Sequence, residues 1–326
     1  MAQATGFTVS TNEHLIRSNL WSRQIKELLL DELNAMKFVK VLTDFPDGLI
    51  LNIPSIGEAE SADFSEGKAV RYNRMDTGNF VFSFDQYKYS ANSISEKFKR
   101  DSFYAADVIS AFVPRQHRAL MEAVETRIFS QGNAGQTASN PNVINNADHR
   151  LVGSGLNRAI GLQDFAKVHY ALIKANVPLT NLCCVLDPSA VYTLETQTNA
   201  VNLLSPQPQW GEIVKDAAVT GFKFRFNIFG FDVYISNYLP NGITETITPT
   251  GGVAATFTAG IANQFFSAAP GDTLTYIGGF RQMPTVYSEF NKDLQQEEFL
   301  TIAEYGFKLY RPENLVTVIT EQSVIV

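Results

Sequence analysis

Cysteine is almost missing from this chain: its 326 residues include two, Cys183 and Cys184, side by side. Adjacent cysteines make a poor disulfide and no third is on hand, so a disulfide framework and a cysteine metal cluster are both excluded. They stand in the apolar run "NLCCVLDP", where small buried thiols are the simplest reading. Histidine is scarce as well. His14, His117, His149 and His169 are scattered, with no pair at zinc-protease spacing. His117 falls on an apolar helical stripe, which predicts a packed, hydrogen-bonded side chain rather than a ligand. Only 18% of residues are charged, 26 basic against 33 acidic, for a net charge of -7. That argues against general affinity for nucleic acid, which needs phosphate-neutralising Lys and Arg. No apolar run approaches membrane-spanning length. The opening MAQATGFTVSTNEH lacks the basic-then-apolar order of a secretory signal. The expectation is a chain soluble and cytosolic at synthesis, with no membrane partner.

Catalytic signatures are missing too. There is no P-loop and no glycine-rich dinucleotide fingerprint opening a helix. "GSG" at Gly153 to Gly155 lacks the strand and helix of a nucleophile elbow. Asp44 and Asp47 bracket "FP" and could work as acid and base, but a solvated turn explains them. Glu58 to Glu66 and Glu297-Glu298 could hold a divalent ion, but solvated acidic loops explain them. The basic "KFKR", Lys97 to Arg100, is too short to signal nucleic-acid binding and suits a subunit contact as well. No catalytic, metal or cofactor-binding residue is assigned, and no cofactor is expected.

What is abundant is apolar and aromatic surface: 45% hydrophobic residues, 12% aromatic, 24 of them Phe. Aromatics carry much buried area and are enriched at protein interfaces. Ser10 to Ala35 reads as a capped helix with Leu15, Leu20, Ile25, Leu28, Leu29 and Leu33 on a broad stripe. "FVKVL" and "LILNIP" read as short strands. "AVRYNRMDTGNFVFSFDQYKYSANS", Ala69 to Ser93, reads as two strands around a turn at Asp76-Thr77-Gly78. Phe80, Phe82 and Phe84 share one face, with nothing aliphatic in Gly57 to Lys68 to lie beneath them. Tyr87 and Tyr89 have the opposite parity, so a bulge near Asp85-Gln86 is expected if the aromatics share a face. Ile109, Val113, His117, Leu120, Val124 and Ile128 mark a long helix, roughly Ser102 to Ser130, either starting or kinking at Pro114. Then follow a helix in "LQDFAKVHYALIKAN", a strand in "LCCVLDP", a helix after Pro188, a tight hairpin at Asn227 to Gly230, and strands to Thr320. The class is α+β.

The order of elements, over roughly Ser10 to Thr320, resembles the tailed-phage major capsid protein with its Hong-Kong-97-type fold. Three phrases carry the likeness. "NVPLTNLCCVLDPSAVYTL" (Asn176 to Leu194) resembles the axial-domain segment. "FGFDVYISNYLP" (Phe229 to Pro240) is similar to the family's hairpin. "FLTIAEYGFKLYRPENLVTV" (Phe299 to Val318) resembles its closing phrase with a Tyr-Gly pair and Arg-Pro-Glu. The Cys183-Cys184 pair departs from the pattern.

The resemblance implies a phage major capsid fold: an N-terminal arm (1–35), a peripheral domain with spine helix (36–56, 93–150 and 281–326), an extended hairpin loop (57–92) and an axial domain (151–280). It implies self-assembly through hexamers and pentamers into an icosahedral shell around double-stranded DNA, without sequence-specific contacts. Scaffolding, portal and decoration proteins are the further partners it suggests. The shell would be a virion capsid built in the host cytoplasm. Arg71, Arg74, Phe80, Phe82, Phe84 and Lys88 are the expected inter-subunit contacts. In members that cross-link, Lys68 and Asn291 would be the pair. The closing strand is expected to return to the spine sheet, and deleting Gly57 to Asn92 to leave a folded subunit. The rival readings are an encapsulin-like nanocompartment shell of the same fold, a soluble enzyme with an unrecognised site, and a tail or fibre protein.

Overall fold

One long helix serves two sheets. The computed structural model describes residues 33–42, 50–56, 77–101, 105–138, 141–194, 227–250, 252–271 and 273–321, with isolated positions between 57 and 76. The expected helix over Ser10 to Ala35 therefore lies almost wholly outside the described residues. A short helix α1 (Glu96–Asp101) leads to the spine helix α2 (Ala105–Gly135), whose 31 residues extend about 46 Å at roughly 1.5 Å each. Pro114 lies inside α2 and does not end it. Leu120, Val124, Ile128 and Phe129 are buried along it, as their spacing predicts. The upper part of the stripe runs one residue off the expected line. Gln116 points inward and His117 is exposed. The Gln116 amide donates to the Phe299 carbonyl (3.1 Å) and accepts from the Thr301 hydroxyl (2.7 Å). A glutamine with both ends satisfied by a sheet is a stable tenant of a buried position, and His117 is thereby left in solvent.

The spine sheet has the order β1-β11-β12-β4. It consists of β1 (Val39–Val41), β11 (Tyr276–Asn291), β12 (Gln296–Leu309) and β4 (Gln86–Ser95). Alternate residues of β12, from Phe299 through Thr301, Ala303 and Tyr305 to Phe307, are buried, and α2 packs on this face through Gln116 and the Phe112–Phe299 ring contact. β2 (Ile50–Ile56) and β3 (Thr77–Ser83) form a separate two-stranded ribbon, from Ile50↔Ser83 to Ile56↔Thr77. This corrects the expected hairpin. Thr77 and Gly78 are strand, not turn, and the partner of the phenylalanine strand is the apolar "ILNIPSI" upstream. Pairing with "ILNIPSI" brings Leu51 and Ile53 against Phe80 and Phe82 and buries apolar area. The expected bulge is not found either. β4 pairs with β12 without a register shift from Gln86↔Tyr305 to Ser95↔Gln296, and the tyrosines face out while Phe82 and Phe84 face in.

The second sheet has the order β5-β13-β10-β6-β8-β7, with β9 also on β10. Its strands are β5 (Arg150–Val152), β13 (Leu315–Glu321), β10 (Ala255–Ser267), β6 (Leu182–Leu186), β8 (Phe231–Ile235), β7 (Asn227–Ile228) and β9 (Ile243–Ile247). Phe229 and Gly230, at φ 51° and 84°, make the tight turn between β7 and β8. On one face α3 (Leu162–Lys174) packs Phe165, Val168 and Leu172 against Cys184, Phe231, Phe265 and Val316. On the other, Cys183, Val185 and Phe266 meet Leu120, Val124 and Ile128 of α2. The two cysteines thus serve opposite cores, and burial pushes the Cys184 thiol well up. β12, the strand of the closing phrase with its Tyr-Gly pair, lies in the spine sheet between β11 and β4, while β13, which follows Arg-Pro-Glu, lies between β5 and β10. Arg150, only 1% exposed, pairs with Glu245 of β9 and donates to Asn133 at the end of α2 (2.9 Å). Asn314 fastens the corner between the sheets, donating to Ser267 O (2.8 Å), Thr273 O (2.6 Å) and Thr275 Oγ1 (3.1 Å).

Candidate functional site

Among the described residues no group of His, Cys, Asp or Glu is placed to hold a metal ion, and no helix is long and apolar enough to cross a membrane. The features with no internal explanation are surfaces. The ribbon is buried at its base and exposed toward Thr77–Asn79, the end that leads into residues 57–76. At the base, Phe82 and Phe84 make an edge-to-face pair (5.1 Å) over Ile277. A Cβ on Gly306 would lie 2.6 Å from the Ser83 carbonyl and 3.1 Å from Phe84 Cα. One on Gly278 would lie 2.4 Å from the Gly306 carbonyl. The Tyr-Gly pair of the closing phrase therefore marks where the ribbon crosses the spine sheet at backbone distance. Lys308 Nζ donates to the Val81 carbonyl (2.9 Å), and Phe80 packs on Tyr310 (5.4 Å between rings). Arg127 of α2 pairs with Asp85 where the chain passes from β3 to β4.

The face of the spine sheet turned away from α2 carries an aromatic and aliphatic band between the rows of Glu298 and Glu304. Register places Tyr89 beside Ile302 and Thr285, and Ala91 beside Leu300 and Tyr287. Tyr87 is 61% exposed, Tyr89 68% and Tyr287 51%. Met283, in the register shift of β11, is also exposed. This patch crosses three strands, and single scattered hydrophobics do not account for it.

The expected contact residues divide. Phe82 and Phe84 are buried within the chain. This corrects their assignment as contacts, because their area is already spent on Ile277, Leu51 and Ile53. Phe80 is half-buried and Lys88 exposed. Arg71, Arg74 and Lys68 lie outside the described residues. Asn291 shapes the β11–β12 turn: its carbonyl accepts from the Asp293 and Leu294 amides, and its amide donates to Glu298 (3.0 Å). The tyrosine face was missed because its members are distant in sequence. The exposed parity of Tyr87 and Tyr89 was the available signal.

The family model described as phage capsid protein matches residues 83–318. The chain belongs to that family. Its members are structural coat proteins rather than enzymes, and the fold is the Hong-Kong-97 type. The capsid of the cyanophage P-SCSP1u aligns at 16% identity over 98% of this chain and 96% of that one, with a TM-score of 0.69. A Mycobacterium phage Che8 structure aligns at 15% identity over 93% and 97%, TM-score 0.64. The head structure of Helicobacter pylori bacteriophage KHP40 aligns at 10% identity over 98% and 99%, TM-score 0.62. No curated protein sequence matches the chain. As a phage capsid protein it self-associates into the icosahedral shell of a virion.

Proposed function

We propose that the shell encloses the double-stranded DNA of a tailed phage and that its hexamers and pentamers are closed by the ribbon and the tyrosine face. The observation that carries this reading is the exposure of Tyr87, Tyr89 and Tyr287 on one face, with Leu300 and Ile302 half-buried between them. Buried aromatic anchors supply most of the binding energy at interfaces, and a neighbouring copy is the natural cover. The segment 57–76 continues the exposed end of the ribbon. It carries Arg71 and Arg74, which with Lys88 and the edge of Phe80 would meet a neighbour's carboxylates and apolar surface. The net charge of -7 favours a wall past which packaged DNA slides. Assembly takes place in the host cytoplasm, with scaffolding, portal and decoration proteins as further partners. The division into arm, peripheral domain, hairpin loop and axial domain is part of this proposal, with β4 assigned to the spine sheet and β13 to the seven-stranded sheet. The test is replacement of residues 57–76 by a short Gly-Ser linker. The subunit should stay folded by circular dichroism and sediment as monomers or capsomers without shells. Normal shells from this variant would overturn the reading. The deletion must stop at residue 76, because Phe82, Phe84 and β4 belong to the subunit core.

A further inference from the structure

α2 carries one buried carboxylate that the coat function does not explain. Glu125 is 2% exposed. Its Oε2 accepts from the main-chain amides of Asn34 (2.9 Å) and Ala35 (3.4 Å). Its Oε1 accepts from the Ser236 hydroxyl (3.1 Å), and Ser236 Oγ in turn accepts from the Tyr238 amide (3.2 Å). Asn34 and Ala35 open the 3-10 turn Ala35–Phe38, from which the chain continues toward residues 1–32. Ser236 follows β8 of the seven-stranded sheet, and its amide donates to the Leu186 carbonyl of β6 (3.1 Å). The two oxygens therefore hold different parts of the molecule. The 3-10 turn is wedged between α2 and that sheet: Phe38 packs edge-on against Tyr234 (5.1 Å) and Phe266 (4.9 Å). Lys37 closes the turn by donating to Asn34 Oδ1 (2.6 Å).

We infer that Glu125 is a clasp coupling the seat of the seven-stranded sheet on α2 to the placement of the 3-10 turn at Asn34 and Ala35. A shift of Ser236 relative to α2 pulls on Oε1 and turns the carboxylate. The same turn moves Oε2 off the Asn34 and Ala35 amides. Such coupling runs both ways, so a displacement of the 3-10 turn changes how firmly the sheet is seated. Burial raises the carboxyl pKa against the hydrogen bonds and Arg118, which favour its charge. A carboxylate held by hydrogen bonds from two separate segments fixes how those segments are arranged. Glu125 is on this account a positioning residue.

The test reads amide hydrogen exchange at Asn34 and Ala35 in unassembled subunits, so its outcome does not depend on shell formation. Ser236→Ala touches neither amide, yet it should speed their exchange about tenfold, the worth of one hydrogen bond to a charged acceptor. Glu125→Met should speed it further. Glu125→Gln, whose carbonyl can face the amides while its NH2 faces Ser236 Oγ, should stay near wild type. If Ser236→Ala leaves the two amides protected, Glu125 is only a local cap and the coupling is refuted. If Glu125→Met does not fold, the Ser236→Ala and Glu125→Gln pair still decides the matter.

Discussion

The two sheets are finished to different degrees. The seven-stranded sheet is covered on both faces, by α3 on one and α2 on the other. Its central strand β6 is an unbroken apolar run, and β10 from Gly260 and β13 as far as Thr320 are buried throughout, their polar Asn263, Gln264 and Thr317 hydrogen-bonded inside, as strands buried on two faces should be. The spine sheet has the same helix on one side; on the other, among the described residues, the ribbon covers the end around Ile277 and Gly306, while Tyr87, Tyr89 and Tyr287 stay exposed. One sheet is complete within a single chain. The other is half of something larger, which is how a coat protein can fold alone and still need its neighbours.

Core truncation should separate the two most sharply. Phe265 is fully buried between Phe165 and Phe231, and Phe265→Ala should cost about 3–5 kcal/mol, measured by urea unfolding of the subunit. Next comes the ribbon seat. Gly306→Val drives a side chain into the Ser83 carbonyl and Phe84, with an expected loss of about 1–3 kcal/mol and new protease cleavage near residues 77–84. A smaller effect is expected at His149, buried with Nδ1 3.2 Å from the Ala147 carbonyl. Burial lowers its pKa. The folded state thus binds its proton more weakly than the unfolded chain, so its contribution is complete above about pH 6.5 and lost as pH falls below. His149→Gln should flatten stability against pH over that window. Smallest for the subunit is the double change Tyr87→Ser with Tyr89→Ser. Both side chains are mostly in solvent, so unfolding should shift by no more than roughly 0.5 kcal/mol each, while shell yield by sedimentation collapses. Unfolding of the isolated subunit by this double change would place the tyrosines in its core.

The sequence was most legible where structure is local. The helical spacing of Leu120, Val124 and Ile128, the Asn227–Gly230 turn and the apolar "LCCVL" strand each follow from neighbours a few residues away. The ribbon was misread because Ile50–Ile56 and Thr77–Ser83 are separated by an acidic segment, and pairing across such a gap leaves no local mark. Gln116 and His117 exchanged places for a related reason: a sheet offering one carbonyl and one hydroxyl makes glutamine the better inward residue, and no spacing rule on α2 contains that sheet. Glu125 sits in "EAVETRIF", a stretch as polar as any exposed helix, so a carboxylate bonded to two distant segments reads there as surface. The candidate contacts suffered similarly. Phe82 and Phe84 looked partnerless only because Ile277 and Gly306 lie far along the chain.

The position of β13 also bears on how the protein is made. β1 waits for β11, β4 for β12, and both β5 and β10 for Leu315–Glu321. Pairings of such long sequence separation form late. At ribosomal rates of about 5–20 residues per second, the early strands spend some tens of seconds without partners. Neither sheet can close until its late strands have emerged. Neighbouring nascent chains therefore have no finished surface to offer one another, and polymerisation is held back until translation has supplied the strands that finish each subunit.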